Sequence, residues 1–307
     1  MSARVALVFP GQGSQRVGML AGCLGDEGFD RLMDAAEGLS GLPLRTIAQA
    51  GTPAQLADTR AAQPLLYLAD WSAGRDALDA GIEPVGLAGH SLGEFAALAL
   101  AGVYSVEAGL ELVIERARLM AEVAAATPGG MAAVLGLDVD TISDAIERIE
   151  GIWIANDNSP GQTVLSGTPA GLEAATYALS DAGARRIVPL AVAGAFHCPL
   201  MAPAADRFAD VLAAADFSDA RIPVYQNTAA TPATDAATIS SRLAGQIVSP
   251  VRWTETMQAF MRDGIAQVVE CGPGAVLTGL TKRFEGLNGY AVEDAGIETI
   301  VEEVFNS

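Results

Sequence analysis

Cysteine is scarce in this 307-residue chain: Cys23, Cys198 and Cys271 are an odd number, set far apart. That excludes a disulfide framework and gives no zinc-site spacing, so no metal is expected. A reducing cytoplasm is the expected setting. Long apolar runs are missing too. The most apolar stretch, residues 95–103, is about half of the roughly 20 residues that a membrane-spanning helix needs. The N-terminal run Val5–Phe9 is shorter than a signal-peptide core and has no cleavage site behind it, so it reads as a first strand. Cations are few: 18 Lys and Arg against 37 Asp and Glu give a formal net charge of -19, and Lys282 is the single lysine. This balance argues against non-specific binding to nucleic acid or to anionic membranes. Histidine is rarest of all, with only His90 and His197.

What is present describes a compact globular protein. Half of the residues are apolar, 18% are charged, and 33 glycines foretell many tight turns. Short apolar runs at residues 5–9, 85–88, 222–226 and 267–270 read as buried strands. Helix-like stretches at 61–80, 106–123 and 201–215 separate them, an alternation that predicts an α/β fold with a mostly parallel sheet. Residues 128–192 have a different rhythm. Strands at 131–137, 152–156, 163–165 and 186–190, with helices at 139–149 and 172–182, give the order βαββαβ of a ferredoxin-like unit. Asp138 is placed to cap the first of these helices, and Asn158-Ser159-Pro160-Gly161 to turn between the middle strands. The expected organisation is a large domain of residues 1–127 and 193–307 with this small subdomain inserted.

The chemistry concentrates at Gly89-His90-Ser91-Leu92-Gly93, a G-x-S-x-G elbow between an apolar strand and a helix-like run, as in α/β-hydrolase-like domains. Glycines allow the sharp turn, which lifts the Ser91 hydroxyl to a helix N-terminus where free N–H groups can hold an oxyanion. The bland alternative is a glycine-rich turn with a structural serine. A serine nucleophile needs a base within hydrogen-bond reach. His90, its immediate neighbour on a sharp elbow, should point elsewhere. That leaves His197, in Gly194-Ala195-Phe196-His197-Cys198-Pro199-Leu200 just after the small subdomain. No acid partner stands out, so a carbonyl could orient the imidazole instead.

Together with further motifs, these residues make the chain resemble the bacterial malonyl-CoA:acyl carrier protein transacylases and the acyltransferase domains of polyketide synthases. The motifs are Phe9-Pro10-Gly11-Gln12-Gly13-Ser14-Gln15, the elbow followed by Glu94, Arg116-Ala117-Arg118-Leu119-Met120, Asn158-Ser159-Pro160-Gly161-Gln162, Ala195-Phe196-His197 and Gly272-Pro273-Gly274. Cys198 stands where many relatives carry serine. The resemblance implies that backbone N–H groups of Gln12 and Leu92 form the oxyanion hole and that the Gln246 carbonyl holds His197. It aligns Arg116 with an arginine that pairs with the substrate carboxylate. Two residues apart on a helix, Arg116 and Arg118 cannot face the same way, and a buried carboxylate is costly unless a guanidinium meets it. Arg116 could equally be a solvated arginine near Glu111 or Glu115. Phe196 resembles the residue that crowds the substrate α-carbon in malonyl-selective relatives; otherwise it is a core phenylalanine.

The implied reaction moves malonyl from malonyl-CoA through a Ser91 ester to the phosphopantetheine thiol of acyl carrier protein, in fatty acid or polyketide synthesis. Coenzyme A is then a substrate, no cofactor is held, and a monomer is expected. Carrier proteins are usually acidic, as this chain is, so docking calls for a local basic rim; Arg185, Arg186, Lys282 and Arg283 are the clustered candidates. The rival readings are a serine esterase or thioesterase using the same Ser91 and His197, the acyltransferase subunit of a malonate decarboxylase, and a non-catalytic docking relative.

Overall fold

A computed structural model describes residues 4–305. Among these residues eleven strands form two sheets. In chain order they are β1 (Val5–Phe9), β2 (Gly86–Gly89), β3 (Gly130–Leu135), β4 (Ile152–Ser159), β5 (Gln162–Gly167), β6 (Arg186–Pro189), β7 (Val224–Tyr225), β8 (Pro232–Ala233), β9 (Val251–Arg252), β10 (Gln267–Glu270) and β11 (Asn288–Ala291). The larger sheet runs β11-β10-β1-β2-β7-β8. Its strands are parallel except for the edge pair β7–β8.

β1 lies near the middle, and all five of its residues are buried. A parallel strand covered on both faces must be apolar throughout, which explains the unbroken Val-Ala-Leu-Val-Phe run. Its side chains alternate between two cores: Val5, Leu7 and Phe9 join one cluster, Ala6 and Val8 the other. The expected strands at 5–9 and 267–270 are found unchanged. The one expected at 85–88 is found at 86–89, its last residue Gly89 paired with Phe9. The one expected at 222–226 shrinks to two residues. Pro223 lacks an N–H for the ladder, and the Gln226 carbonyl turns back to accept from Ala229 and Ala230.

The smaller sheet runs β6-β3-β5-β4-β9, with its first four strands antiparallel to one another in turn. The order strand, helix, strand, strand, helix, strand is present, with helices Val139–Ile146 and Pro169–Asp181. Asp138 caps the first of these, accepting from the Thr141 N–H at 2.8 Å. Its own small core joins Val134, Ile142, Leu165 and Leu179. Element ends shift by one to three residues, as in the helix expected at 139–149, which stops at Ile146, and two further details differ from expectation. The turn is tighter, since Asn158 and Ser159 stay in β4 and only Pro160 and Gly161 (φ 79°) make the bend. A fifth strand, β9, comes from outside residues 128–192 and pairs in parallel with β4.

No described helix is long and apolar enough to cross a membrane. One buried group is out of keeping with a core. Asp70, on the helix Thr59–Asp79, is fully buried, and neither carboxylate oxygen has a hydrogen-bond partner. Burial, and then the like charge of Glu270, push its carboxyl well above the usual range. Such a group favours the fold below its unfolded pKa and loses that contribution as pH rises toward the folded one. Asp70→Asn is therefore expected to raise Tm, by about 2 °C or more at pH 8 for roughly 1 kcal/mol, with a smaller gain at pH 5. Calorimetry at the two pH values checks this; an equal or falling Tm at pH 8 would show that Asp70 is satisfied in the fold.

Candidate active site

The elbow forms where β2 runs into the helix Gly93–Leu100. A Cβ on Gly89 would lie 1.8 Å from the Gly93 carbonyl carbon, and one on Gly93 would lie 2.1 Å from the Phe9 carbonyl oxygen. Both positions must be glycine, because the helix folds back directly onto the strands that deliver it. Among the described residues only three non-glycines have positive φ: Ser91 at 52°, His197 at 58° and Ala230 at 52°. Backbone strain of this kind persists where the surroundings enforce it. Here it falls on both members of the expected catalytic pair.

The Ser91 Oγ lies 2.7 Å from His197 Nε2, although 106 residues separate them. His197 Nδ1 is 3.0 Å from the Gln246 carbonyl oxygen and 3.1 Å from that of Ser249. Both partners are acceptors, so Nδ1 carries the proton and donates, leaving the Nε2 lone pair free to accept from Ser91. The Gln246 carbonyl is thus where the resemblance implied it, and Ser249 adds a second. Burial first, and then the positive charge of Arg116, push the His197 imidazole down to about 3. His90 is turned away, as its position required. Its Nε2 is 2.8 Å from Asn158 Oδ1 and 3.4 Å from Asn156 Nδ2, and its ring packs 5.5 Å from that of Trp253.

Arg116, on the helix Val106–Ala126, is only 1% exposed. Its Nη1 donates to Gln63 Oε1 at 2.8 Å, and its Nη2 to Gln246 Oε1 at 3.0 Å and to Ser91 Oγ at 3.1 Å. Its Nε has no partner, and among the described residues no carboxylate forms an ion pair with it. Burial pulls it down to about 10, so it stays charged at neutral pH. The alternative of a solvated arginine near Glu111 or Glu115 is overturned by this burial, and Glu115 pairs with the half-buried Arg118 instead.

These groups meet in one cavity of about 220 Å³. Gln12, Leu92 and Phe196 line it with Ser91, Arg116 and His197, and Met120, Met131, Val164 and Val192 make it mainly apolar. Among the described residues the backbone N–H groups of Gln12 and Leu92 find no acceptor in the protein. Every residue of the expected site is therefore at this cavity except Gln246, which supports it from behind through His197 and Arg116. Sequence reasoning missed Gln63, Asn156 and Asn227. The asparagines at β4 have a signal in retrospect, since bulges at 154/156 and 157/159 re-aim that strand beside the cavity. Arg185 and Arg283 line a neighbouring recess of about 200 Å³ and share Gln162 with the main cavity. Arg186 and Lys282 are also exposed.

The arrangement can take a proton from a serine, stabilise an oxyanion and hold an anionic acyl group, and the relatives of the chain fit that chemistry. The sequence model of the acyl transferase domain matches residues 6–300. A malonyl CoA-acyl carrier protein transacylase of Bacillus subtilis is 37% identical over 99% of this chain and 100% of its own length. An acyl carrier protein S-malonyltransferase from Vibrio cholerae superposes with a TM-score of 0.90 at 39% identity, over 97% of this chain and 100% of that one. A malonyl-transacylase solved in complex with its type II PKS acyl-carrier protein superposes with a TM-score of 0.91 at 38% identity, over 98% of this chain and all of that one. The paired serine and histidine therefore sit in a shared framework, and the chain belongs to the acyl transferase domain family.

Proposed function

We propose that this chain transfers malonyl from malonyl-CoA to the phosphopantetheine thiol of an acyl carrier protein, by a ping-pong route through an ester on Ser91. The observation that carries the substrate assignment is Arg116: a buried guanidinium, 3.1 Å from the nucleophile, that forms no ion pair with a carboxylate among the described residues. A charge left so is costly, and a substrate carboxylate would complete it. The esterase reading has no use for it.

His197 Nε2 takes the Ser91 proton as Oγ attacks the thioester carbonyl. The oxyanion is held by the backbone N–H groups of Gln12 and Leu92. As the tetrahedral species collapses, the C–S bond breaks and the imidazolium returns its proton to the coenzyme A sulfur. The carrier thiol then gives its proton to His197 and attacks the ester; the C–O bond breaks and Ser91 is regenerated with that proton. Phe196 sets the width beside the malonyl α-carbon. These steps call on no resident cofactor, and coenzyme A enters and leaves as a substrate.

We read the larger sheet and its elbow as an α/β-hydrolase-like domain of residues 1–127 and 193–307, and residues 128–192 as a ferredoxin-like insert; the strand order of the smaller sheet supports this. A cytoplasmic monomer is the working form. The test of function is intact-mass spectrometry after brief exposure to malonyl-CoA, beside acetyl-CoA. The wild type should carry a malonyl adduct that Ser91→Ala lacks and that holo carrier protein removes. Malonyl-CoA hydrolysed with no transfer to the carrier would favour the esterase reading.

Docking of the acidic carrier uses the rim of Arg185, Arg186, Lys282 and Arg283. Among the described residues none of the four is in an ion pair with a carboxylate, so their charge is available. Charge reversal at both pairs is expected to raise the apparent KM for carrier protein about tenfold or more at low salt, and less at high salt. An unchanged KM would move docking elsewhere.

A further inference from the structure

We propose that Asn227 is a positioning residue for the nucleophile: its amide clamps the two ends of the elbow and holds Ser91 in its left-handed backbone conformation. The inference rests on Ser91 being the nucleophile. Asn227 is 1% exposed and 136 residues from Ser91 in sequence. Its Oδ1 accepts from the Ser91 backbone N–H at 2.7 Å, and its Nδ2 donates to the Gly89 carbonyl at 2.6 Å. These are main-chain groups on either side of the turn, at the residue whose φ is 52°. A left-handed conformation costs a non-glycine residue about 1–2 kcal/mol, so something must hold it.

Asn227 is itself fixed. Its backbone N–H donates to Glu94 Oε2 at 2.8 Å, and its carbonyl accepts from the Arg252 N–H at 3.1 Å. Glu94, 1% exposed, lies in the first turn of the helix that the elbow leads into, and its other oxygen accepts from Gln226 Nε2 at 3.2 Å. Residues 226–227 just after β7, the elbow and the helix start are thereby tied together.

The chemistry of the clamp singles out an amide. One side chain must present an acceptor and a donor side by side, and only asparagine and glutamine do so without titrating. Aspartate would set an acceptor against the Gly89 carbonyl and a second carboxylate beside Glu94. The clamp also occupies the Ser91 N–H, which removes it from the oxyanion donors and leaves that task to Gln12 and Leu92. Because φ at Ser91 sets the direction of its Cα–Cβ bond, loosening the clamp moves Oγ relative to His197 Nε2. A misplacement of about 1 Å can cost on the order of 100-fold in rate.

The experiment is single-turnover malonylation of Ser91 in wild type, Asn227→Asp and Asn227→Leu, followed by rapid quench and intact mass. The burst amplitude counts competent sites and the first-order rate constant describes each one. Both variants should acylate about 100-fold more slowly per competent site, while the half-saturating malonyl-CoA concentration stays within about threefold, since Arg116 and Gln63 are untouched. A fold-supporting role alone would lower the amplitude or Tm and leave the rate constant per site near that of wild type, which overturns the proposal. Asn227→Asp keeps the side-chain volume, so it decides the matter if Asn227→Leu does not fold. A wild type that forms no adduct would instead remove the nucleophile reading itself.

Discussion

Arg116→Ala is expected to slow malonylation of Ser91 by roughly 30-fold to 4 × 10³-fold while changing acetylation from acetyl-CoA far less. Leaving a buried charge without its partner costs about 2–5 kcal/mol, and each 1.4 kcal/mol is tenfold. Here the unpaired charge would be the malonyl carboxylate, carried into a cavity whose other walls are mainly apolar. Acetyl has no carboxylate to strand, so the ratio of the two rates reports the pairing alone. Arg116→Lys should recover little. A single ammonium cannot reproduce the planar fork that binds Gln63 and Gln246 at 2.8 and 3.0 Å and still reaches toward Ser91. Single-turnover kinetics with the two thioesters decide it. Equal losses for malonyl and acetyl would show that Arg116 only supports Ser91 and Gln246.

His197→Ala should lower transfer by about 10²–10⁴-fold, the usual worth of a positioned general base. The wild-type pH profile is more diagnostic. Burial and Arg116 hold the imidazole at about 3 in the absence of substrate charge beside the guanidinium. The acid limb of kcat/KM, which reports the free enzyme, is therefore expected far below the ordinary histidine value of about 6.5. A positive neighbour disfavours the imidazolium, so Arg116→Ala should move that limb upward. Bound malonyl should do the same to kcat by neutralising the guanidinium. A wild-type limb near 6.5 would mean that the imidazole is well hydrated. The same depression acts on stability. A histidine whose folded pKa lies below its unfolded value contributes fully above about pH 6.5, and the contribution is lost as pH falls toward about 3. His197→Gln should flatten acid unfolding over that window.

The parts of the site legible in the sequence are those with local chemical grammar. The elbow announces itself through glycines that steric contact makes obligatory at positions 89 and 93. His197 could be singled out because only two histidines exist and the other sits on the elbow. Helical geometry required that Arg116 and Arg118 face different ways, and the resemblance picked Arg116 as the inward one; their burial differs accordingly. Gln63 and Asn227 carry no such mark. They reach the site across 53 and 136 residues, and a buried amide gains its meaning only from the groups that the fold sets against it. Strand order was read well within residues 128–192, where each connection is short. The addition of β9 was invisible, because a two-residue strand has no periodicity to detect.

The imidazole of His197 is oriented by two main-chain carbonyls, from Gln246 and Ser249. A carbonyl comes with every amino acid, so no single codon change can delete that partner; substitutions at positions 246 and 249 can only shift it. In genetic terms the mutational target for outright loss of the proton relay shrinks from three side chains to two. Lineages descending from this sequence can therefore vary residue 249 without giving up the base, whereas a change at 246 also loses the side-chain contacts to Arg116 and to the Ser91 carbonyl.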